Sequence, residues 1–502
     1  MRNKSHFSLL KALWQIKFIT PKGLFTWGKA IRSEGVSLMA LLRFSAETYP
    51  NKKALNSEGE ELTYRQLLEQ AYALASHLQQ KYGITEGSKV TLLCRNHTQA
   101  VLSIFAVSRL GAHLYLLNSD LSAQQLSDLS SKNKGYQLWI TDSDLPFVKG
   151  RVVTTEELST LPSTNHTALP KVARGGIISV LSGGSSGHYT EASRKPSTTA
   201  FLPPLLALLR QIGIHQQQSV YIPLPLFHGF GLATLLISLA MGKQIWLTKH
   251  FSSSETLHSI KTGEIEVLIV VPSMIPRLLQ HPNASGQLAS LQTIITGGDR
   301  LTLTQAHLCL KELPNTQLFN LYGTSEAGFF MLATSEELRK ATTEIPIGRP
   351  IKGVACKINN PSPQGVGELW VASKWAMSSR QGKWQATGDL VYRDPQGLYY
   401  HRGRADRMVV CGGENIHLDH LEMVVEQHPL IATARAFTID NPTLGNSIGL
   451  EIELIEKGAL SEESFREWIK EKVPYSSALT QIVFKEVTLT STGKRPSSGI
   501  TH

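Results

Sequence analysis

Tyr322-Gly323-Thr324-Ser325-Glu326 gathers an aromatic ring, two hydroxyls and a carboxylate within five residues. A ring can stack on a flat base, a hydroxyl can bond a phosphate oxygen, and a carboxylate can hold a divalent cation that bridges phosphates. Ser182-Gly183-Gly184-Ser185-Ser186-Gly187 follows the apolar run Ile177-Ile178-Ser179-Val180-Leu181. Glycines there let backbone N–H groups turn toward an anion, and serines add donors. Gly297-Gly298-Asp299 allows a planar group to approach the main chain closely. Asp389, in Thr387-Gly388-Asp389, is a short carboxylate able to accept bonds from two vicinal hydroxyls. Each segment also has an ordinary reading: a Ser/Gly linker, a strand-to-helix turn with Asp299 as local cap, an acidic turn.

Two further segments follow in order, Gly403-Arg404-Ala405-Asp406 and Thr492-Gly493-Lys494. Together the set resembles the adenylate-forming superfamily: acyl-CoA synthetases, non-ribosomal adenylation domains and luciferase-like enzymes. The resemblance runs from about Ser37 to Lys494 and is nearest to bacterial fatty acyl-CoA ligases. It implies ATP, Mg2+ and a carboxylic acid as reactants, an acyl-adenylate as intermediate, and coenzyme A as acceptor. It assigns Ser182, Gly183, Gly184, Ser185, Ser186 and Gly187 to the phosphates, and Gly297, Gly298 and Asp299 to the adenine loop. Tyr322, Gly323, Thr324 and Ser325 then contact base and α-phosphate, Glu326 holds the metal, and Asp389 and Arg404 address ribose or phosphate. His228, in Pro225-Leu226-Phe227-His228-Gly229, resembles the histidine that closes the acyl pocket. Asp406 falls at the family's hinge, Gly412 and Gly413 at its thiol tunnel, and Lys494 at its adenylation lysine. An ammonium there stabilises charge growing on the α-phosphate.

The chain departs from the family at Tyr189-Thr190-Glu191, where the phosphate loop ordinarily continues Pro-Lys-Gly. The lysine is missing, and the nearest cations are Arg194 and Lys195. Thr488 replaces a proline, and Ser325 replaces the threonine before the glutamate. No aspartate lies between Pro223 and Leu232 to pair with a substrate amine, which points to an acid other than an amino acid. Three functions follow: an acyl-CoA synthetase, an acyl-AMP ligase that loads a carrier protein's phosphopantetheine, or a degenerate nucleotide or acyl binder.

These residues need a scaffold. A chain of 502 residues exceeds one core. With 41% apolar and 18% charged residues it folds rather than staying disordered. Four cysteines without CxxC spacing argue against a disulfide framework or zinc site and for a reducing compartment. No apolar run reaches membrane-spanning length. Short apolar runs alternate with helical patterns from residue 37 to about 300, which predicts layered α/β subdomains. Gly and Pro punctuate short segments from about 345, as a small β-rich subdomain requires. A compact α+β cap follows. The boundary is placed at Asp406: an AMP-binding body over 1–405 and a mobile cap over 406–502.

Residues 1–33 hold seven basic residues (Arg2, Lys4, Lys11, Lys17, Lys22, Lys29, Arg32) and no acid, interleaved with Leu9, Leu10, Leu13, Trp14, Ile16, Phe18 and Ile19. Two readings stand: contact with an anionic membrane surface, or a helix packed on the body with a solvated basic face. No nucleic-acid platform accompanies the charge. The expected location is cytoplasmic, with a peripheral membrane contact under the first reading.

Overall fold

The computed structural model describes residues 2–131, 135–160, 169–183, 189–197, 202–411, 414–441 and 445–487. Two large sheets dominate. One has six strands in the order Arg151–Thr154, Leu138–Thr141, Lys89–Leu93, His113–Leu116, Ile178–Gly183, Tyr189–Arg194. All pair in parallel except the last, which returns as a hairpin. The other has nine strands, ordered Arg349–Pro350, Gly328–Ala333, Gln317–Thr324, Thr293–Gly297, Val267–Val270, Ser219–Ile222, Gln244–Leu247, Lys53–Ser57, Glu60–Thr63. Its six central strands are parallel. Runs such as Val267-Leu268-Ile269-Val270 are buried on both faces, as the lack of alternation in the sequence requires.

Helices Leu38–Thr48, Tyr64–Tyr82, Thr98–Arg109 and Gly229–Ala240 pack on one another and share a single core with both sheets. Thr98–Arg109 is buried on almost every side, and the polar residues it buries are Thr98, Ser103, Ser108 and Arg109. Tyr64–Tyr82 starts in a capping box, where the Thr63 hydroxyl accepts from the Gln66 N–H and Gln66 reaches back to the Thr63 N–H. Its exit is Gly83 in the left-handed region.

From residue 354 the architecture changes. Val354–Asn359, Gly367–Ser373, Gln385–Arg393 and Tyr399–Arg404 form an antiparallel meander with its own small core around Leu369, Val371 and Val391. Beyond it, strands Ile431–Asn441, Gly445–Leu454 and Leu479–Phe484 carry helices Leu418–Val425 and Glu462–Lys470. A further separate core, including Leu421, Ile452 and Phe465, holds them together. The layered body, β-rich part and α+β end match the expected architecture. At the N-terminus two helices, Arg2–Gln15 and Pro21–Glu34, replace the one expected. Among the described residues no helix is long and apolar enough to cross a membrane.

One charge lies deep in the body. Lys243 is 2% exposed and its ammonium donates to the Gln217 carbonyl. Burial, aided by Lys52, pulls its pKa from 10.5 down to about 7. Between those values the unfolded chain keeps a proton that the folded protein has released, so stability rises with pH. The slope is at most about 1.4 kcal/mol per pH unit. Lys243→Met should abolish that rise. Urea unfolding at about pH 7 and about pH 9 checks it, and equal slopes in both proteins would refute the assignment.

Candidate functional site

The parallel strands Ser219–Ile222, Val267–Val270, Thr293–Gly297 and Gln317–Thr324 all run out at one edge of the nine-stranded sheet. That carboxyl edge is where open α/β sheets bind ligands. Three sequence-predicted segments leave it there: the loop to His228, the turn Gly297-Gly298-Asp299, and Tyr322 to Glu326. Gly297 lies opposite Leu321, and a Cβ on it would sit 2.4 Å from the Leu321 carbonyl oxygen. Only glycine lets the two exits approach so closely. The Asp299 carboxylate accepts from the Arg300 N–H at 2.7 Å, but the helix that follows is capped by Thr302 and not by Asp299.

Strands Gln317–Thr324 and Gly328–Ala333 form a hairpin, so Ser325-Glu326-Ala327 is its tip. This tip is fixed from several directions. The Ala327 N–H donates to the Thr324 hydroxyl at 3.1 Å, and the Met377 N–H to the Glu326 carbonyl at 2.7 Å. The Ser373 hydroxyl donates to the Ala327 carbonyl at 3.0 Å. Arg194, from the six-stranded sheet, donates to the Ser325 carbonyl at 2.6 Å and to the Trp375 carbonyl at 3.4 Å. The guanidinium also feels the Glu326 charge, although burial is the larger influence and lowers its pKa. The Ser325 side chain is exposed, as a phosphate contact requires.

The ring and carboxylate expected on opposite parts of one nucleotide meet. The Tyr322 hydroxyl donates to the Asp389 carboxylate, and the ring sits edge-on to Phe330 at 5.2 Å. Burial first, then the Asp389 charge, keeps the phenol protonated far above its ordinary range. Asp389 is 6% exposed, with His401 Nε2 at 3.4 Å and the Arg404 guanidinium at 3.6 Å. Arg404 makes a two-pronged contact with Asp406, both bonds 2.9 Å, and holds that carboxyl below its ordinary value. Its N–H donates to Asp419 at 2.6 Å. Gly403, at φ +118°, passes so close to Asp419 that a Cβ would lie 2.8 Å away.

His228 caps the helix Gly229–Ala240 through its backbone, its ring 4.8 Å from that of Phe227. The loop before it is held by a residue that sequence reasoning missed. Asn96, 3% exposed after the strand Lys89–Leu93, donates to the Leu224 carbonyl at 2.8 Å and accepts from the Leu226 N–H at 2.9 Å. It joins the carboxyl edges of the two sheets. His401 and Trp375 were also missed; the Trp375 indole donates to the Phe329 carbonyl at 2.9 Å. Nothing local marks Asn96 or Trp375, which act on residues distant in sequence, while His401 faces Asp389 across one hairpin of the meander.

Ser182 and Gly183 end the strand Ile178–Gly183 and pair with Thr190 and Tyr189 across a hairpin. Gly184, Ser185, Ser186, Gly187, Gly412, Gly413 and Lys494 lie outside the described residues. Glu191 has a place in the scaffold: its carboxylate accepts from the Ser179 and Ser193 hydroxyls, each at 2.7 Å. Elsewhere, Cys94, His97 and Asp142 have donor atoms within 4.8 Å of one another. Their bonds cap a helix: His97 Nδ1 accepts from the Ala100 N–H at 3.3 Å and Nε2 lies 2.7 Å from Asp142, while burial raises the Cys94 thiol.

A family model, AMP-binding enzyme, matches residues 42–195 and 197–379. The chain belongs to the AMP-binding enzyme family. Its place in the adenylate-forming superfamily agrees with this match. Among curated proteins it is 26% identical over 456 residues to 2-succinylbenzoate–CoA ligase of Bacillus licheniformis, covering 86% of this chain and 92% of that one. The Lactococcus lactis protein of the same name is 24% identical, covering 89% and 96%. Among solved structures it resembles anthranilate CoA ligase AuaEII in complex with anthranoyl-AMP, with TM-score 0.77, 20% identity and coverage of 91% and 95%. It also resembles o-succinylbenzoate CoA synthetase of Bacillus subtilis with ATP and magnesium, with TM-score 0.76, 23% identity and coverage of 90% and 97%.

Asn96→Ala should destabilise the body by about 2–4 kcal/mol, because two buried backbone groups lose their partner. Urea unfolding measures it; a loss below about 0.5 kcal/mol, the range of an ordinary surface change, would show that the bond between the sheets is dispensable.

Proposed function

We propose that this protein is an AMP-forming acid–thiol ligase. It activates a carboxylic acid with MgATP to an acyl-adenylate and passes the acyl group to coenzyme A. The observation that carries this reading is the joined pair Tyr322–Asp389 beside the braced Glu326 tip. It supplies ring, ribose-binding carboxylate and metal-binding carboxylate at one sheet edge. The fit to magnesium rests on Glu326, whose main chain is tied down while its side chain stays partly exposed. Bound there, Mg2+ would neutralise phosphate charge. The acid's carboxylate oxygen attacks the α-phosphate and pyrophosphate leaves, a step dominated by positioning and charge neutralisation. Lys494 supplies an ammonium at the developing charge, and His228 borders the acyl group. The unit from Asp406 onward then turns, bringing Gly412 and Gly413 to the incoming thiol.

The acid lacks a pairing amine, since no aspartate lies between Pro223 and Leu232. The apolar stretches Phe201 to Leu209 and Phe230 to Leu239 could wall a fatty chain, but Leu205, Leu208, Leu209, Leu235 and Leu239 belong to the main core. Relatives named for 2-succinylbenzoate and anthranilate favour an aryl acid over a fatty one. Pyrophosphate release across fatty and aryl acids decides the substrate, and analysis of the acyl product formed with coenzyme A or an acyl carrier protein decides the acceptor. Glu326→Gln should cut release about 100-fold or more; undiminished turnover would remove the metal from that residue.

Silence across the whole panel with tight ATP binding would favour a degenerate binder, the reading that Thr190 motivates. Arg194 counters it. Its guanidinium reaches the Glu326 tip and spends two of its five N–H donors on carbonyls. It supplies the cation that residue 190 lacks. Arg194→Gln should raise KM for ATP about 10- to 100-fold, the effect of one charge-assisted hydrogen bond. Thr190→Lys in the same chain should restore it. A purely structural arginine would give a loss that lysine at 190 does not repair.

A further inference from the structure

The helices Arg2–Gln15 and Pro21–Glu34 supply none of the residues placed at the nucleotide site. Their inner faces are firmly seated. Ala12, Ile16, Phe18 and Ala30 are buried in the main core, and Trp27 stacks on Phe44 at 4.3 Å. Glu34, at the second helix's end, binds Arg43 at 2.6 Å and Arg109 at 2.9 Å. An amphipathic pair seated in this way should turn only polar groups outward.

It does not. Leu10 is 57% exposed, Trp14 56%, Leu24 59% and Phe25 73%; these are four of the ten large apolar side chains most exposed among the described residues. Leu10 and Trp14 are one helical turn apart and so share a face. Single exposed leucines are ordinary, but four large apolar groups within sixteen residues, rimmed by charge, mark a contact surface. Lys11, Lys22 and Arg32 lie exposed among them, and among the described residues none of the three forms an ion pair. Lys29 is paired with Glu47, and Lys17 lies over the Tyr49 ring.

We propose that this outer surface docks on an anionic lipid bilayer, the apolar side chains entering the headgroup boundary and the basic ones reaching the phosphates. The charge selects the occupant. Seven bases and no acid precede Glu34, so a second copy of the same face would meet its own charge. A lipid surface instead accepts both components at one depth, because lysine stems lie along apolar surface while their heads stay in water. The inference stands apart from the ligase reading and needs only the exposed surface.

The full-length protein is sedimented with phosphatidylcholine vesicles, with and without phosphatidylglycerol. At about 0.1 M salt it should bind the anionic vesicles selectively and release as salt rises. A Trp14→Gln/Phe25→Gln protein should partition about tenfold or more weakly, and so should Lys11→Gln/Lys22→Gln/Arg32→Gln, with unfolding midpoints unchanged. Absence of binding to either vesicle would overturn the proposal. So would equal binding by all variants, or equal binding to both lipids. Concentration-dependent self-association in the absence of lipid, broken by the same changes, would assign the face to a second copy instead.

Discussion

The tip Ser325-Glu326-Ala327 is the point on which the site depends. A glutamate at a hairpin end normally moves with its loop. This one is held by backbone bonds from three directions: Thr324 in its own strand, Ser373 and Met377 from the β-rich meander, and Arg194 from the far sheet. Loose any of these layers and the carboxylate loses its fixed relation to Tyr322 and Asp389. Fixed geometry is what catalysis by charge neutralisation demands, because a group that must reorganise as charge develops contributes little. The three sheets are therefore elements of the site as well as of the core.

Asn96 does the corresponding work on the loop that enters His228. Its amide matches one carbonyl and one N–H of the Leu224–Leu226 segment, so it substitutes for a strand where the two sheets cannot pair directly. Burying that amide is tolerable because both ends are satisfied. The result is that the loop entering His228 is registered against the six-stranded sheet, whose strand Ile178–Gly183 leads into the Ser/Gly segment.

Much of this was legible from sequence where one short segment carries both chemistry and backbone requirement. Tyr322 to Glu326, Gly297-Gly298 and Asp389 combine reactive groups with turn residues. Thr63 with Gln66 signals a helix start for the same local reason. Asn96 and Trp375 were not legible, because each acts on residues far away in sequence and no periodicity marks them. Arg194 was noticed, but its spacing after the Ser/Gly segment disagreed with the expected lysine. Only the antiparallel return of Tyr189–Arg194 explains how it reaches Ser325. The outward apolar groups of the N-terminal helices were visible as residues, yet which of them face the core depends on tertiary packing.

The junction with the C-terminal α+β part carries ion pairs. Its core is separate, and Arg300–Glu426 at 2.5 Å and Arg277–Glu486 at 3.1 Å tie it to the body. Breaking a buried ion pair is costly when it strands a charge. Here Glu426 keeps two bonds of its own, from the Thr433 hydroxyl at 3.1 Å and the Ala434 N–H at 3.2 Å. The carboxylate oxygen that faces Arg300 would pass to water, and Arg300 with it. Separation at this surface would uncover charges that water solvates well and little apolar core, so the energetic barrier to movement is set by a few exchangeable hydrogen bonds. Arg404 sits where such a movement would pivot, its side chain on Asp406 and its backbone N–H on Asp419. Arg404 thus joins the Tyr322–Asp389 cluster to the C-terminal part through a single residue, its guanidinium near Asp389 and its backbone N–H on Asp419.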